Sequence, residues 1–129
     1  MKILIVDDSA EAAHILAEMA RIFGCEQIDI VSSGEDAIGK AIMEEYDIIT
    51  LDIRMDGVSG LDALSVIRGL RPHTILAIIS AYTQEIGSGD MAATDVAISK
   101  PVPMETFRNL LKLTQEISER RKAIRELGA

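Results

Sequence analysis

Cysteine occurs once in these 129 residues, as Cys25, so no internal disulfide can form. Tryptophan is absent, and the aromatic side chains are confined to Phe23, Tyr46, Tyr82 and Phe107, which leaves no platform for stacking bases or sugars. Basic residues are scarce, with 13 Lys and Arg against 21 Asp and Glu. The resulting charge of −8 repels a phosphate backbone at long range and makes nucleic acid a poor direct partner. Apolar runs are short: Ile3–Val6 and Ile75–Ile79 fall far below the roughly 20 residues needed to span a bilayer, so no membrane segment is expected. The chain opens at Met1 on strand-like residues, without the charged and apolar regions of a secretion signal. With the lone cysteine, this leads us to expect a soluble, cytoplasmic protein.

What is present is aliphatic. Hydrophobic residues make up 48% of the chain, enough for one core and one ordinary domain. Three continuous apolar runs, Ile3–Val6, Ile48–Leu51 and Ile75–Ile79, read as strands buried on both faces. Ile28–Val31 alternates and Val96–Ile98 is short, which suits strands nearer the sheet edges. Between them, apolar residues recur every three or four positions: Ile15, Leu16, Met19 and Ile22, then Ala37, Ile38, Ala41 and Ile42, then Leu61, Leu64, Ile67 and Leu70. Ser9, Ser33 and Ser59 stand where helix N-caps belong. This alternation predicts an α/β fold, a doubly wound five-stranded parallel sheet with helices on both faces. The segment Thr83–Ala93 should form a short or distorted fourth helix, because Gly87 and Gly89 weaken it. From Met104 a long helix is expected, with Leu110, Leu113 or Thr114, Ile117, Ile124 and Leu127 near a seven-residue repeat. Arg120-Arg121-Lys122 reads as a solvated stripe offsetting Glu116, Glu119 and Glu126.

The polar residues that interrupt these strands fall at their carboxyl ends: Asp7 and Asp8, Asp52, Ser80 and Lys100. In an open parallel sheet that edge is where ligands bind. Three carboxylates brought together repel one another unless a pKa rises or a cation sits among them. Oxygen donors without His or Cys point to a hard ion, Mg2+. Asp52 can then attack phosphorus as an ionised nucleophile, with Lys100 supplying a point charge and Ser80 a hydroxyl donor. A carboxylate nucleophile requires no general base, which accounts for the absence of a catalytic histidine.

The run Ile5-Val6-Asp7-Asp8-Ser9, the loop from Asp52 to Gly60, Ser80-Ala81 and Lys100-Pro101 together resemble the receiver domain of two-component response regulators. The resemblance covers residues 2 to about 113. It implies a flavodoxin-like fold, phosphorylation on Asp52, and a sensor histidine kinase or histidine phosphotransfer protein as donor. It also implies magnesium held by Asp8, Asp52, the Arg54 backbone carbonyl and, partly through water, Asp7. Lys100 would contact the phosphoryl group, and the bond to Pro101 would be cis.

Two positions depart from the family pattern. Asp56 stands where the family usually has proline. Ala97 replaces a Tyr or Phe whose ring moves inward when the Ser/Thr hydroxyl shifts toward phosphate. Tyr82 is the candidate substitute, as gate or reporter, against the plainer reading of a solvent-edge tyrosine. The Arg54 side chain is placed to lean over an acyl phosphate. We expect a receiver domain at 1–113 and a helical extension at 114–129 that pairs with a second copy or leads to an output domain. The alternative is a receiver-like interaction or dimerisation module with little phosphorylation-dependent signalling. Either reading makes the chain a signalling domain, not an enzyme acting on other substrates.

Overall fold

The computed structural model describes residues 1–128. Strands β1 (Lys2–Val6), β2 (Gln27–Val31), β3 (Ile48–Leu51), β4 (Ile75–Ser80) and β5 (Val96–Ser99) form one parallel sheet in the order β2-β1-β3-β4-β5. They alternate with α1 (Ala10–Ile22), α2 (Gly34–Met43), α3 (Gly60–Leu70), α4 (Ser88–Ala93) and α5 (Met104–Arg125). The apolar runs that lack alternation lie in the middle of the sheet, where Ile3, Leu4, Ile5, Ile48 and Ile49 are fully buried. The two less regular strands, β2 and β5, are its edges.

Successive side chains on each strand serve opposite layers. Ile3, Ile5, Ile48, Ala77 and Ile79 pack with Leu16, Phe107 and Leu111 from α1 and α5. Leu4, Val6, Ile49, Leu51 and Ile78 pack with Ala41, Leu64 and Ile67 from α2 and α3. Small residues such as Ala13, Ala17, Ala37 and Ala63 are buried where helices meet the sheet, so aliphatic side chains fill both layers with few rings. Ser9, Ser33 and Ser59 each cap a helix, accepting from the backbone N–H of Ala12, Asp36 and Asp62 at 3.2, 3.1 and 3.2 Å.

The weak fourth helix resolves into two pieces: a 3-10 turn at Thr83–Glu85, then the six-residue α4. Ile86 and Gly87 are extended and separate them. Helix α5 lies on the sheet through Phe107, Leu111 and Thr114, and continues along its amino end. There Ser118 donates to the Asp47 carboxylate, and Arg121 donates to the His73 carbonyl at 2.8 Å. Arg121 is thus drawn to the α3–β4 loop rather than to a neighbouring glutamate, because none of Glu116, Glu119 and Glu126 stands three or four residues from it on the helix. The opposite stripe stays open, with Leu113 58% and Ile124 67% exposed. No helix among the described residues is long and apolar enough to cross a membrane.

β1 pairs with β2 on one side and β3 on the other, so the crossovers diverge between β1 and β3 and leave a crevice at their carboxyl ends. Gly60, the first residue of α3, closes on this crevice from one side. A Cβ there would stand 1.7 Å from the Asp52 carbonyl oxygen, so only glycine permits the approach.

Candidate functional site

Register brings the acids together. Val6 is level with Leu51 across β1 and β3, so the residues that follow, Asp7 and Asp52, emerge side by side. The Asp52 N–H donates to the Val6 carbonyl at 3.0 Å and the Asp7 N–H to the Val31 carbonyl at 3.1 Å, so both backbones are held by neighbouring strands. Asp7 is 3% exposed and Asp52 9%. Lys100, just after β5, donates from Nζ to Asp7 Oδ2 at 2.7 Å and to Asp52 Oδ2 at 2.9 Å. Its own N–H donates to the Ser80 carbonyl at 3.0 Å, and the peptide to Pro101 is cis. Burial alone would lower the Lys100 pKa, but hydrogen bonds to Asp7 and Asp52 and their charges outweigh it, and the pKa is raised.

One ammonium therefore serves two buried carboxylates. Asp7 uses its second oxygen to accept from the Ser9 N–H at 2.9 Å. Asp52 Oδ1 is buried with no hydrogen-bond partner, an arrangement that costs roughly 1–3 kcal/mol for a polar group left unsatisfied. The site carries more negative charge than it neutralises. Asp8 is exposed and lines a cleft of about 490 Å³ with Arg54, Asp56, Ser59 and Glu85. Among the described residues, no three His, Cys, Asp or Glu side chains converge closely enough to cage a metal. The donor set nonetheless fits magnesium, which keeps several waters and needs only one or two carboxylates; buried Asp7 and Asp52 share one ammonium and leave negative charge for a cation.

Ser80 is fully buried, and its Oγ accepts from the Tyr82 N–H at 3.1 Å, leaving the hydroxyl proton free for a second partner. Tyr82 is 37% exposed at the mouth of the crevice. The Arg54 guanidinium lies over its ring, 4.0 Å from the centroid. Arg54 also pairs with Glu85 through both Nη2 and Nε, the latter 3.1 Å from Oε1. That hydrogen bond holds the Glu85 carboxyl below its usual pKa and raises that of Arg54. The Arg54 side chain is thus engaged with Tyr82 and Glu85, a partnership across 31 residues. Glu85 was not legible as a site residue, since it is an acid in a turn with no local motif around it. Ala97 is half-buried against the α2–α3 layer, with no ring to swing.

An apolar groove of about 620 Å³ flanks the site, bounded by Ile15, Leu16 and Met19 of α1, by Lys100, Pro101 and Val102, and by Met104 of α5. Cys25 is buried, which raises its thiol pKa, and it has no part in the site.

Residues 3–112 match the response regulator receiver domain family. The hybrid signal transduction histidine kinase G of Dictyostelium discoideum is 35% identical over 118 residues, which is 86% of this chain but 3% of that protein. A protein-glutamate methylesterase/protein-glutamine glutaminase of Archaeoglobus fulgidus is 36% identical over 85 residues, 66% of this chain and 24% of that protein. The chain thus spans a quarter or less of the length of these relatives. Among solved structures, the response regulator TrrA of Thermotoga maritima in complex with Mg(2+)-BeF superposes with a TM-score of 0.81 at 30% identity, covering 88% of this chain and 99% of that one. TrrA has also been solved in complex with the histidine kinase ThkA, with a TM-score of 0.78 to this chain, 30% identity and coverage of 88% of this chain and 98% of that one. With its family match running over most of its length, the chain belongs to the response regulator receiver domain family.

Proposed function

We propose that this receiver domain accepts a phosphoryl group on Asp52 from a phosphohistidine of a sensor histidine kinase or a histidine phosphotransfer protein, and so switches a partner or an output domain. The observation that carries the reading is the unpartnered, buried Asp52 Oδ1, beside an Oδ2 already held by Lys100. One oxygen is thereby left for bond formation. It attacks phosphorus as the N–P bond of phosphohistidine breaks; the electron pair stays on the imidazole nitrogen, which takes up a proton from solvent. The product is an acyl phosphate on Asp52.

Asp7, Asp8, Asp52 and the Arg54 backbone carbonyl would hold magnesium. When bound, the metal supplies positive charge that lets the carboxylates and the phosphoryl oxygens share one site. Lys100 contributes its ammonium to the phosphoryl oxygens while keeping Asp7 in place, and Ser80 contributes its free hydroxyl proton. The apolar groove along α1 borders Lys100 and suits a helical donor that must bring its imidazole to this edge. That Mg(2+)-BeF and ThkA occur in complexes of TrrA supports the same reading.

Incubation with magnesium and acetyl phosphate, followed by intact mass, tests it. Wild type gains one phosphoryl group and Asp52→Asn gains none. A wild type that stays unmodified leaves the second reading, an interaction module with little phosphorylation, which Ala97 favours by removing the family's usual reporter.

We further propose that residues 1–113 form the receiver unit and 114–129 an extension that pairs two copies or leads into an output domain. The exposed stripe of Leu113, Ile117, Ile124 and Leu127 supports this. Sedimentation is expected to show a dimer that Ile117→Asp with Ile124→Asp converts to monomer; a monomeric wild type would remove the pairing.

A further inference from the structure

Tyr82 is held from two sides. Its N–H is bound by Ser80 Oγ at 3.1 Å, and its ring is covered by the Arg54 guanidinium 4.0 Å from the centroid. Arg54 sits two residues after Asp52 and Ser80 closes β4, so both tethers originate at the edge that carries Asp52. Glu85 completes the arrangement by pairing with Arg54 from the 3-10 turn that begins just after Tyr82. The turn is short and solvent-facing, followed by two extended residues and a six-residue helix, the kind of segment that opens locally at low cost.

We propose that Arg54, Glu85 and Tyr82 form a latch that reports the state of Asp52 to the β4–α4 segment, in place of the ring missing at Ala97. The inference rests on Asp52 being the phosphoacceptor. In the unmodified protein Glu85 is the anion that satisfies Arg54. A phosphoryl group on Asp52 carries more charge than a single carboxylate and presents several oxygens to the guanidinium fork, so it competes with Glu85 for Arg54. Its oxygens also attract the Ser80 hydroxyl, which loosens the bond from the Tyr82 N–H. Both movements release the same residue. Freed of its cover, the Tyr82 ring repositions, and Glu85 and the 3-10 turn follow. The Thr83 and Ser99 hydroxyls, 2.8 Å apart, link that turn to the end of β5 and carry the displacement to the neighbouring edge strand.

The two tyrosines make this directly observable. In protein labelled with 3-fluorotyrosine, fluorine NMR gives one resonance for Tyr46 and one for Tyr82, the latter assigned by Tyr82→Phe. On phosphorylation with acetyl phosphate and magnesium, verified by intact mass on the same sample, the Tyr82 resonance moves toward its position in Arg54→Ala while that of Tyr46 stays. In Arg54→Ala, phosphorylation moves it little further. A kinetic arm uses Glu85→Gln, which frees Arg54 and raises the initial rate of phosphorylation about two- to fivefold, the range of an exposed ion pair. The same change made in Arg54→Ala has no effect. A phosphorylated sample whose Tyr82 resonance is unmoved overturns the latch, as does a Glu85→Gln effect of equal size in both backgrounds. A sample that takes up no phosphoryl group instead overturns the phosphoacceptor reading on which the latch depends.

Discussion

The two ends of the sheet use the same residue types to opposite effect. At the amino end, Asp47 precedes β3 and both its oxygens are engaged, Oδ2 by the Lys2 N–H at 2.7 Å and Oδ1 by Ser118. Asp95, before β5, accepts from the Leu76 N–H and from Arg68, each at 2.8 Å. The Thr74 hydroxyl donates to the Tyr46 carbonyl just before β3 at 3.1 Å, and the Thr94 hydroxyl to the Leu76 carbonyl of β4 at 2.9 Å. Asp47 and Asp95 each lock one strand to the next. At the carboxyl end, Asp7 and Asp52 share a single lysine, and one Asp52 oxygen has no partner. The lesson is that the protein concentrates its unmet electrostatic demand at one edge and secures the other.

The contrast breaks most visibly at Lys100. Lys100→Met strands two buried carboxylates without a counter-charge, and we expect a loss of about 3–4 kcal/mol in urea unfolding. Magnesium should restore part of that loss, since a cation bound only by the folded state stabilises it. The pH dependence follows from the raised Lys100 pKa: its contribution is complete below the usual value of 10.5 and is lost as pH rises through the higher folded-state value. The urea midpoint of wild type should therefore fall on the alkaline side more steeply than that of Lys100→Met. At the other end, Asp47→Ala leaves the Lys2 N–H and Ser118 without their acceptor, for an expected loss of about 1–2 kcal/mol with no change in phosphorylation rate. The smallest effect has the opposite sign. Thr50, 1% exposed and two residues before Asp52 on the same strand face, has a hydroxyl with no partner, so Thr50→Val should stabilise the fold by up to about 1 kcal/mol. Calorimetry showing a clear loss would mean that the hydroxyl has a partner in solution.

The sheet was legible because central parallel strands must be apolar on both faces: Ile3–Val6 and Ile75–Ile79 have no polar interruption to misread, and Ile48–Leu51 has only Thr50. The three serine caps were legible for the same local reason. Of the site, the positions of Asp7, Asp52 and Lys100 followed from their being the first polar residues beyond each strand, and the register then sets them within hydrogen-bond reach. Arg54 with Glu85, and Asp47 with Ser118, were not legible. They are 31 and 71 residues apart, and nothing near any of the four residues fixes which rotamer it adopts or which loop it meets. Likewise Arg121 is indistinguishable from its neighbours in sequence until the docking of α5 brings it to the His73 carbonyl.

The strand order has a consequence for a chain made from its amino terminus. β1 lies between β2 and β3, so residues 2–52 hold the strands that set Asp7 and Asp52 in adjacent places. The lysine that balances them arrives only at position 100, after β5 has joined the far edge. During synthesis both acids are therefore in the chain before their counter-charge exists, and the last strand added both completes the sheet and brings the lysine that balances them.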